Sequence, residues 1–279
     1  MQIRFSPNIS DYMEKVEHLL INKEACNHLL LGLMNYYQTT ISKDIYLGYI
    51  MENSSLQYAF MQTPLNQWIL ADIDHVDEQM IRNLAQFLYK RGMKVPGIQG
   101  PTRVAEIFVK EWLPLKKTRA KLYKKELVYR LDKQEKTIYT TDKLMKATIK
   151  EHELVRKWLI HFGKETNEII TDIRASHMAT KYIENGSLYF WLVDGEPVSM
   201  ANQSQKTKHG VTINAVYTPD AQKGKGYATN LVATLSQKLL DEGNAFCCLL
   251  ADKENPTSNY VYQKIGYQVV GESVVYRFG

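Results

Sequence analysis

Residues 211–240, VTINAVYTPDAQKGKGYATNLVATLSQKLL, constrain this chain more than any other stretch. An apolar, β-branched run passes through a Pro- and Gly-bearing turn into a segment of helical spacing, so the order is strand, loop, helix. The first amides of a helix lack intrahelical acceptors and lie at the positive end of its dipole, which makes such a junction a place for phosphate oxygens. Gly224 and Gly226 leave out two Cβ atoms where a ligand would approach the backbone, and Lys223 and Lys225 add positive charge beside it. The expected ligand is a phosphate.

Spacing decides which phosphate. A nucleotide P-loop needs Gly-Lys-Ser/Thr after a longer glycine loop, but Gly226 is followed by Tyr227 and Ala228. A dinucleotide fingerprint needs a third small residue where Thr229 stands, and an acidic residue after the next strand. The loop instead resembles the acetyl-coenzyme A pyrophosphate loop of the GNAT superfamily of N-acetyltransferases, Gln/Arg-x-x-Gly-x-Gly/Ala. Val216-Tyr217-Thr218-Pro219 is followed by Lys223-Gly224-Lys225-Gly226-Tyr227-Ala228, with Ala221 read at the Gln/Arg position. A bare Gly-x-Gly also suits a turn with no ligand, so a second segment has to decide.

Residues 255–267, NPTSNYVYQKIGY, match the other GNAT signature, Asn-x-x-Ala/Ser-x-x-Leu/Val-Tyr-x-x-x-Gly-Phe/Tyr. Asn255 can cap a helix whose first residue is Pro256, and Ser258, Asn259 and Tyr262 then share one face. Gly266 ends that helix in the left-handed conformation. The two signatures stand in the family's order, with room for one helix and one strand between them.

The resemblance implies a cofactor and a reaction. Strand 211–217 splays from strand 246–251, and the pantetheine arm of acetyl-CoA lies in the gap, bonded to the backbone of Val216 and Thr218 on either side of Tyr217. The diphosphate sits on amides from Gly224 to Thr229, with Lys223, Lys225, Tyr227 and Ala228 in the same loop, and Asn255, Asn259 and Tyr262 face the cofactor from the next helix. The Val216 N–H polarises the thioester carbonyl, and Tyr262 is the candidate general acid for the departing thiolate. The base is unassigned: Glu184, His209 and Asp252 are ionisable but not placed, and an ordered water is an alternative. Trp191, Met200 and Asn202 are candidates to line the acceptor pocket, or core. No metal is implied.

The rest of the chain sets limits. It has 279 residues, 44% of them hydrophobic and 23% charged, enough for two globular domains. Residues 1–9 lack a basic segment followed by an apolar run, and no stretch is long enough to span a bilayer, so neither a leader nor a membrane partner is expected. Cys26, Cys247 and Cys248 form no Cys-x-x-Cys, which argues against disulfides or zinc and for the cytoplasm. The net charge of +5 does not require nucleic acid, and the basic run 116–125 reads as the solvated face of a strand or loop.

In order, the sequence predicts helices at 11–20 and 24–37, strands at 45–51, 57–62 and 68–71, helix 77–90, strand 95–98, helix 101–112 and strand 126–131. The polar run 132–136 is the expected boundary between a domain at 1–132 and one at 133–279. The second half repeats the order: strand 138–141, helices 144–162 and 165–181, a hairpin of 188–193 and 197–203 about Asp194-Gly195, strand 211–217, the phosphate-loop helix, strand 246–251, helix 256–265, and strands at 267–270 and 274–278. The fold class is therefore α/β: two GNAT-like domains, each a mixed, mostly antiparallel sheet with a parallel central pair flanked by helices. Where the second half has its glycine loop, the first has Asp72-Ile73-Asp74-His75-Val76, whose carboxylates would repel phosphate. The first half is thus expected to be a degenerate copy without a cofactor. The resemblance points to acetyl transfer onto a primary amine of a small molecule or peptide; a non-catalytic acyl-CoA sensor is the alternative, and a homodimer is left open.

Overall fold

The computed structural model describes residues 1–40, 44–63, 67–132 and 143–279. Its elements run β1 (Gln2–Phe5), α1 (Ile9–Leu20), α2 (His28–Thr39), β2 (Tyr46–Glu52), β3 (Ser55–Gln62), β4 (Trp68–Leu70), α3 (Glu78–Lys90), β5 (Gly97–Pro101), α4 (Thr102–Lys116) and β6 (Ala120–Leu131). They continue as β7 (Leu144–Lys146), α5 (His152–Glu165), α6 (Asp172–Glu184), β8 (Leu188–Val193), β9 (Glu196–Lys206), β10 (Gly210–Tyr217), α7 (Tyr227–Asp241), β11 (Phe246–Asp252), α8 (Pro256–Ile265) and β12 (Gln268–Phe278). The same succession of strand, two helices, three strands, helix, strand and helix occurs twice. Each half is a mixed α/β arrangement, as the sequence predicts.

The chain forms two compact units, one of Met1–Val128 with Val269–Gly279 and one of Tyr129–Gln268. The division therefore differs from an expected break near residue 132: the last eleven residues pack with the first unit rather than with the second. In the first unit the strand order is β1-β2-β3-β4-β5-β12-β6. β4 and β5 are parallel, and β12 enters antiparallel to β5 with Val275 opposite Gln99. Tyr12, Val16 and Leu20 of α1 share a buried core with Ile81, Leu84 and Leu88 of α3, with Phe108 and Trp112 of α4, and with Tyr58, Phe60 and Trp68 of the sheet.

In the second unit the order is β7-β8-β9-β10-β11, antiparallel except for the β10–β11 pair. β8 and β9 turn about Asp194 (φ 52°) and Gly195 (φ 83°), the left-handed pair of a two-residue hairpin. Leu188 and Phe190 bury with Trp158 and Leu159 of α5 and Ala175 and Ala179 of α6. α7 covers the sheet with Leu231, Val232, Leu235 and Leu239, all fully buried; each such side chain stabilises by about 1.5–3 kcal/mol. This packing fixes the start of α7 relative to the end of β10.

Several boundaries differ from expectation. Residues 144–146 are a strand and 147–151 lead into α5, so the expected helix 144–162 is too long at its start. Residues 165–171 are mostly loop, and α6 begins at Asp172 under a Thr171 cap. β1 was not foreseen, and the two expected closing strands are one, β12. The basic run continues into β6, where Lys121 and Lys125 are exposed. The strand expected at 138–141 lies outside the described residues. Among those described, no helix is long and apolar enough to cross a membrane.

Candidate active site

The site lies in the second unit, where β10 leaves β11. Their parallel ladder runs from Gly210 opposite Phe246 to Thr212 opposite Cys248 and stops there. On its other edge β10 is bulged: Asn214 faces Asn202 and Tyr217 faces Met200, so three steps on β10 answer two on β9. Ala215 sits at that bulge with φ 49°, a conformation that costs a non-glycine residue about 1–2 kcal/mol. The backbone at Ala215 and Val216 thus has no register partner on β9 and lies beyond the β10–β11 ladder. The bulge is tied down by Ser199, whose hydroxyl donates to Tyr217 O (3.1 Å) and lies 2.8 Å from Thr218 Oγ1.

Beyond β10 the loop reaches α7 through Gly224 (φ 76°) and Gly226 (φ 80°). Gly226 is the N-cap residue and offers no side-chain cap, so the opening amides of α7, at Tyr227, Ala228 and Thr229, have no side-chain acceptor from the cap. A Cβ on either glycine would meet nothing within 4 Å. The glycines therefore serve the left-handed turn and leave open space above these amides, a shape that fits a diphosphate. Counted back from Gly226, the Gln/Arg position of the loop pattern is Lys223 rather than Ala221, with Ala228 at its end. Lys223 Nζ is 2.7 Å from both Glu165 and Asp220. Those carboxylates hold its ammonium above its usual range and it holds Asp220 below the usual carboxylate range. Lys225 donates to Gln222 Oε1 at 2.9 Å.

α8 begins as expected: Asn255 Oδ1 accepts from Ser258 N at 3.1 Å, Pro256 is the first residue, and Gly266 ends the helix at φ 111°. Asn259, however, is occupied. Its amide donates to Asp252 O and Lys253 O, and its oxygen accepts from the Tyr129 hydroxyl at 3.1 Å, so it braces the β11–α8 connection. Tyr262 is buried, its ring 5.7 Å from Tyr129 and 6.1 Å from Tyr267. Burial, with Tyr129 adding, pushes its phenol up to about 12, so it keeps its proton at neutral pH.

Of the residues expected to line the acceptor pocket, Met200 is core, Trp191 is buried, and Asn202 is buried between Ser187 and Asn214. Of the unplaced ionisable groups, His209 is at the opposite end of β10, Glu184 closes α6, and Asp252 accepts from the Glu254 amide. Sequence reasoning missed Glu165, Asp220, His161 and Tyr129. Only Asp220, three residues before Lys223, left a local signal.

In the first unit the backbone just past β4 is hydrogen-bonded from within. Asn27 donates to Asp72 O (2.7 Å) and accepts from Asp72 N (2.8 Å), so one buried side chain takes both backbone groups just past β4. Lys23 neutralises Asp72 at 3.0 Å. A cavity of about 1020 Å³ in this unit, lined in part by Gln62, Lys94, Trp112 and Phe278, lies at the amino ends of β4 and β5, away from that place. Among the described residues, no group of three or more His, Cys, Asp or Glu could hold a metal ion.

The comparisons agree with this architecture. Residues 190–276 match the family model described as FR47-like protein. No curated protein matches the chain. Among solved structures, a GNAT-family acetyltransferase from Colwellia psychrerythraea is similar over 100% of this chain and 99% of its own, with 10% identity and a TM-score of 0.65. A GCN5-related N-acetyltransferase from Sphaerobacter thermophilus is similar over 99% and 94%, with 14% identity and a TM-score of 0.63. A tandem GNAT protein from the clavulanic acid biosynthesis pathway is similar over 100% and 98%, with 8% identity and a TM-score of 0.58. The chain has the fold of these GNAT-type proteins along its whole length.

Proposed function

We propose that the second unit binds acetyl-CoA and transfers its acetyl group to a primary amine by direct attack. The observation that carries this reading is the uncapped start of α7 behind Gly226, beside the place where the β10–β11 ladder ends. Acetyl-CoA, when bound, supplies the activated acyl group. The chain supplies the rest. Amides of α7 and the Lys223 ammonium hold the diphosphate, Val216 N–H faces the thioester oxygen, and Tyr262, a phenol protonated at neutral pH, shares its proton with the leaving sulfur. The first unit, plugged by Asn27, takes no cofactor. Cys26, Cys247 and Cys248 form no disulfide, which suits a reducing cytoplasm.

The test is release of free thiol from acetyl-CoA with the full-length protein and a panel of small amines, amino acids and peptides. Release above the blank with any amine supports the transferase. Tight binding of acetyl-CoA with no release from the whole panel overturns it in favour of a non-catalytic acyl-CoA sensor.

A further inference from the structure

The proposed reaction needs a group that takes the proton of the attacking nitrogen. Alternation along β10 sends the Tyr217 side chain to the side opposite Val216 and Thr218. That side is covered by α5: the Tyr217 ring lies 5.8 Å from Trp158 and 6.2 Å, edge-on, from His161. The Tyr217 hydroxyl is 3.3 Å from His161 Nδ1. Tyr217 and Phe190 share the core under α5 and α6, while Tyr189, next along β8, faces Lys238 of α7. α7 thus takes the opposite face of the sheet, and the Tyr217 ring is buried with its hydroxyl beside the exposed His161 at the end of β10.

We infer that Tyr217 and His161 are the proton relay of acetyl transfer, Tyr217 touching the acceptor nitrogen and His161 delivering its proton to solvent. This rests on the transferase reading above. As nitrogen bonds to the thioester carbon, its N–H bond breaks and that proton goes to Tyr217 Oη. The phenol's own proton passes to His161 Nδ1, and the exposed imidazolium gives one from Nε2 to water, after which exchange with water restores the starting tautomer. Tyr217 thereby stays neutral throughout.

The surroundings favour a relay over a free phenolate. Burial first, then the carboxylates of Glu165 and Asp220, raise the Tyr217 phenol, while Lys223 opposes them. The other charged groups near the imidazole are Lys157, Lys164 and Glu165 on α5 and Asp220 and Lys223 in the loop. α6 meets α5 through Asp172 with Arg156 and through His152 on Thr180. In these surroundings the group that reaches Tyr217 Oη is the His161 imidazole, through Nδ1 at 3.3 Å.

Two measurements on the full-length protein decide the matter. Nitrogen NMR of histidine-labelled protein without ligand is expected to show His161 with Nδ1 unprotonated, a preference lost in Tyr217→Phe. With acetyl-CoA and the amine giving most thiol release, Tyr217→Phe and His161→Gln should each lower kcat on the order of 10²-fold, leave acetyl-CoA affinity within about twofold, and flatten the rise of rate with pH. Added imidazole should restore part of the rate of His161→Ala. A protonated Nδ1, variants that keep the wild-type rate and pH profile, or a rate loss matched by lost acetyl-CoA affinity overturns the relay while the transferase reading stands. If the wild-type protein releases no thiol with any amine, both fall together.

Discussion

Asn27 offers the sharpest test of the proposal that only the second unit takes a cofactor. Its side chain makes three hydrogen bonds from a buried position: to Leu20 O at 3.0 Å, to Asp72 O at 2.7 Å and from Asp72 N at 2.8 Å. Asn27→Ala removes all three and leaves three backbone groups to find other partners. At about 1 kcal/mol for each bond, the loss is about 3 kcal/mol, more where water cannot enter. Lys23 keeps its ion pair with Asp72, so the pairing of that carboxylate is unchanged and the loss reports the Asn27 bonds. The assay is urea unfolding followed by fluorescence, since Trp68 and Trp112 lie in this unit's core, together with hydrogen exchange at the Asp72 amide. The expectation is a midpoint shift worth about 3 kcal/mol and faster exchange at that amide. A loss below about 1 kcal/mol with unchanged exchange would refute the claim that Asn27 closes the place where a cofactor would bond.

Two other outcomes follow from buried ionisable groups. Tyr262→Phe keeps the ring against Tyr129 and Tyr267 but removes the donor, so kcat should fall on the order of 10²-fold while acetyl-CoA affinity stays within about twofold; unchanged turnover with several amines removes Tyr262 from the mechanism. Burial pushes the Cys247 thiol from 9.0 up to about 12 and the Tyr182 and Tyr262 phenols from 10.0 up to about 12. With folded values above unfolded ones, their stabilising contribution is complete below pH 9 and is lost as pH climbs toward 12, because the unfolded chain ionises first. Urea midpoints measured across that window should fall steadily; a flat or rising series would contradict the burial of these groups.

What the sequence disclosed was local punctuation. Asn255, Pro256 and Gly266 bracket α8, and Asp194-Gly195 forces the hairpin, because each demand is met within a few residues. Short or distant features escaped. β7 has only three residues, and its Leu144 and Met145 merge with the helical spacing of α5. β12 reads as two strands because Gly271 looks like a break. In the fold that glycine lets Cys26 approach the strand, since a Cβ there would lie 2.7 Å from the Cys26 sulfur. Its pairing with β5 spans more than 160 residues of chain, and no local pattern encodes such a partner. The same holds in the site. The glycine loop was legible, but Lys223 meets Glu165, 58 residues earlier, and Tyr217 meets His161, 56 residues earlier. Asn259 binds carbonyls within seven residues, but also Tyr129, 130 residues earlier, which no local pattern announces.

The proposed function requires one set of helix-start amides, in the second unit alone, to hold the diphosphate of coenzyme A. Calorimetric titration of the full-length protein with acetyl-CoA tests it most directly, run beside Gly226→Val. A Cβ there meets no neighbour within 4 Å, so the left-handed backbone is what is penalised, by about 1–2 kcal/mol. The wild-type protein should bind one acetyl-CoA per chain, and the variant should bind it at least about tenfold more weakly. Two sites per chain, no binding, or equal affinity in both proteins would contradict the proposed function.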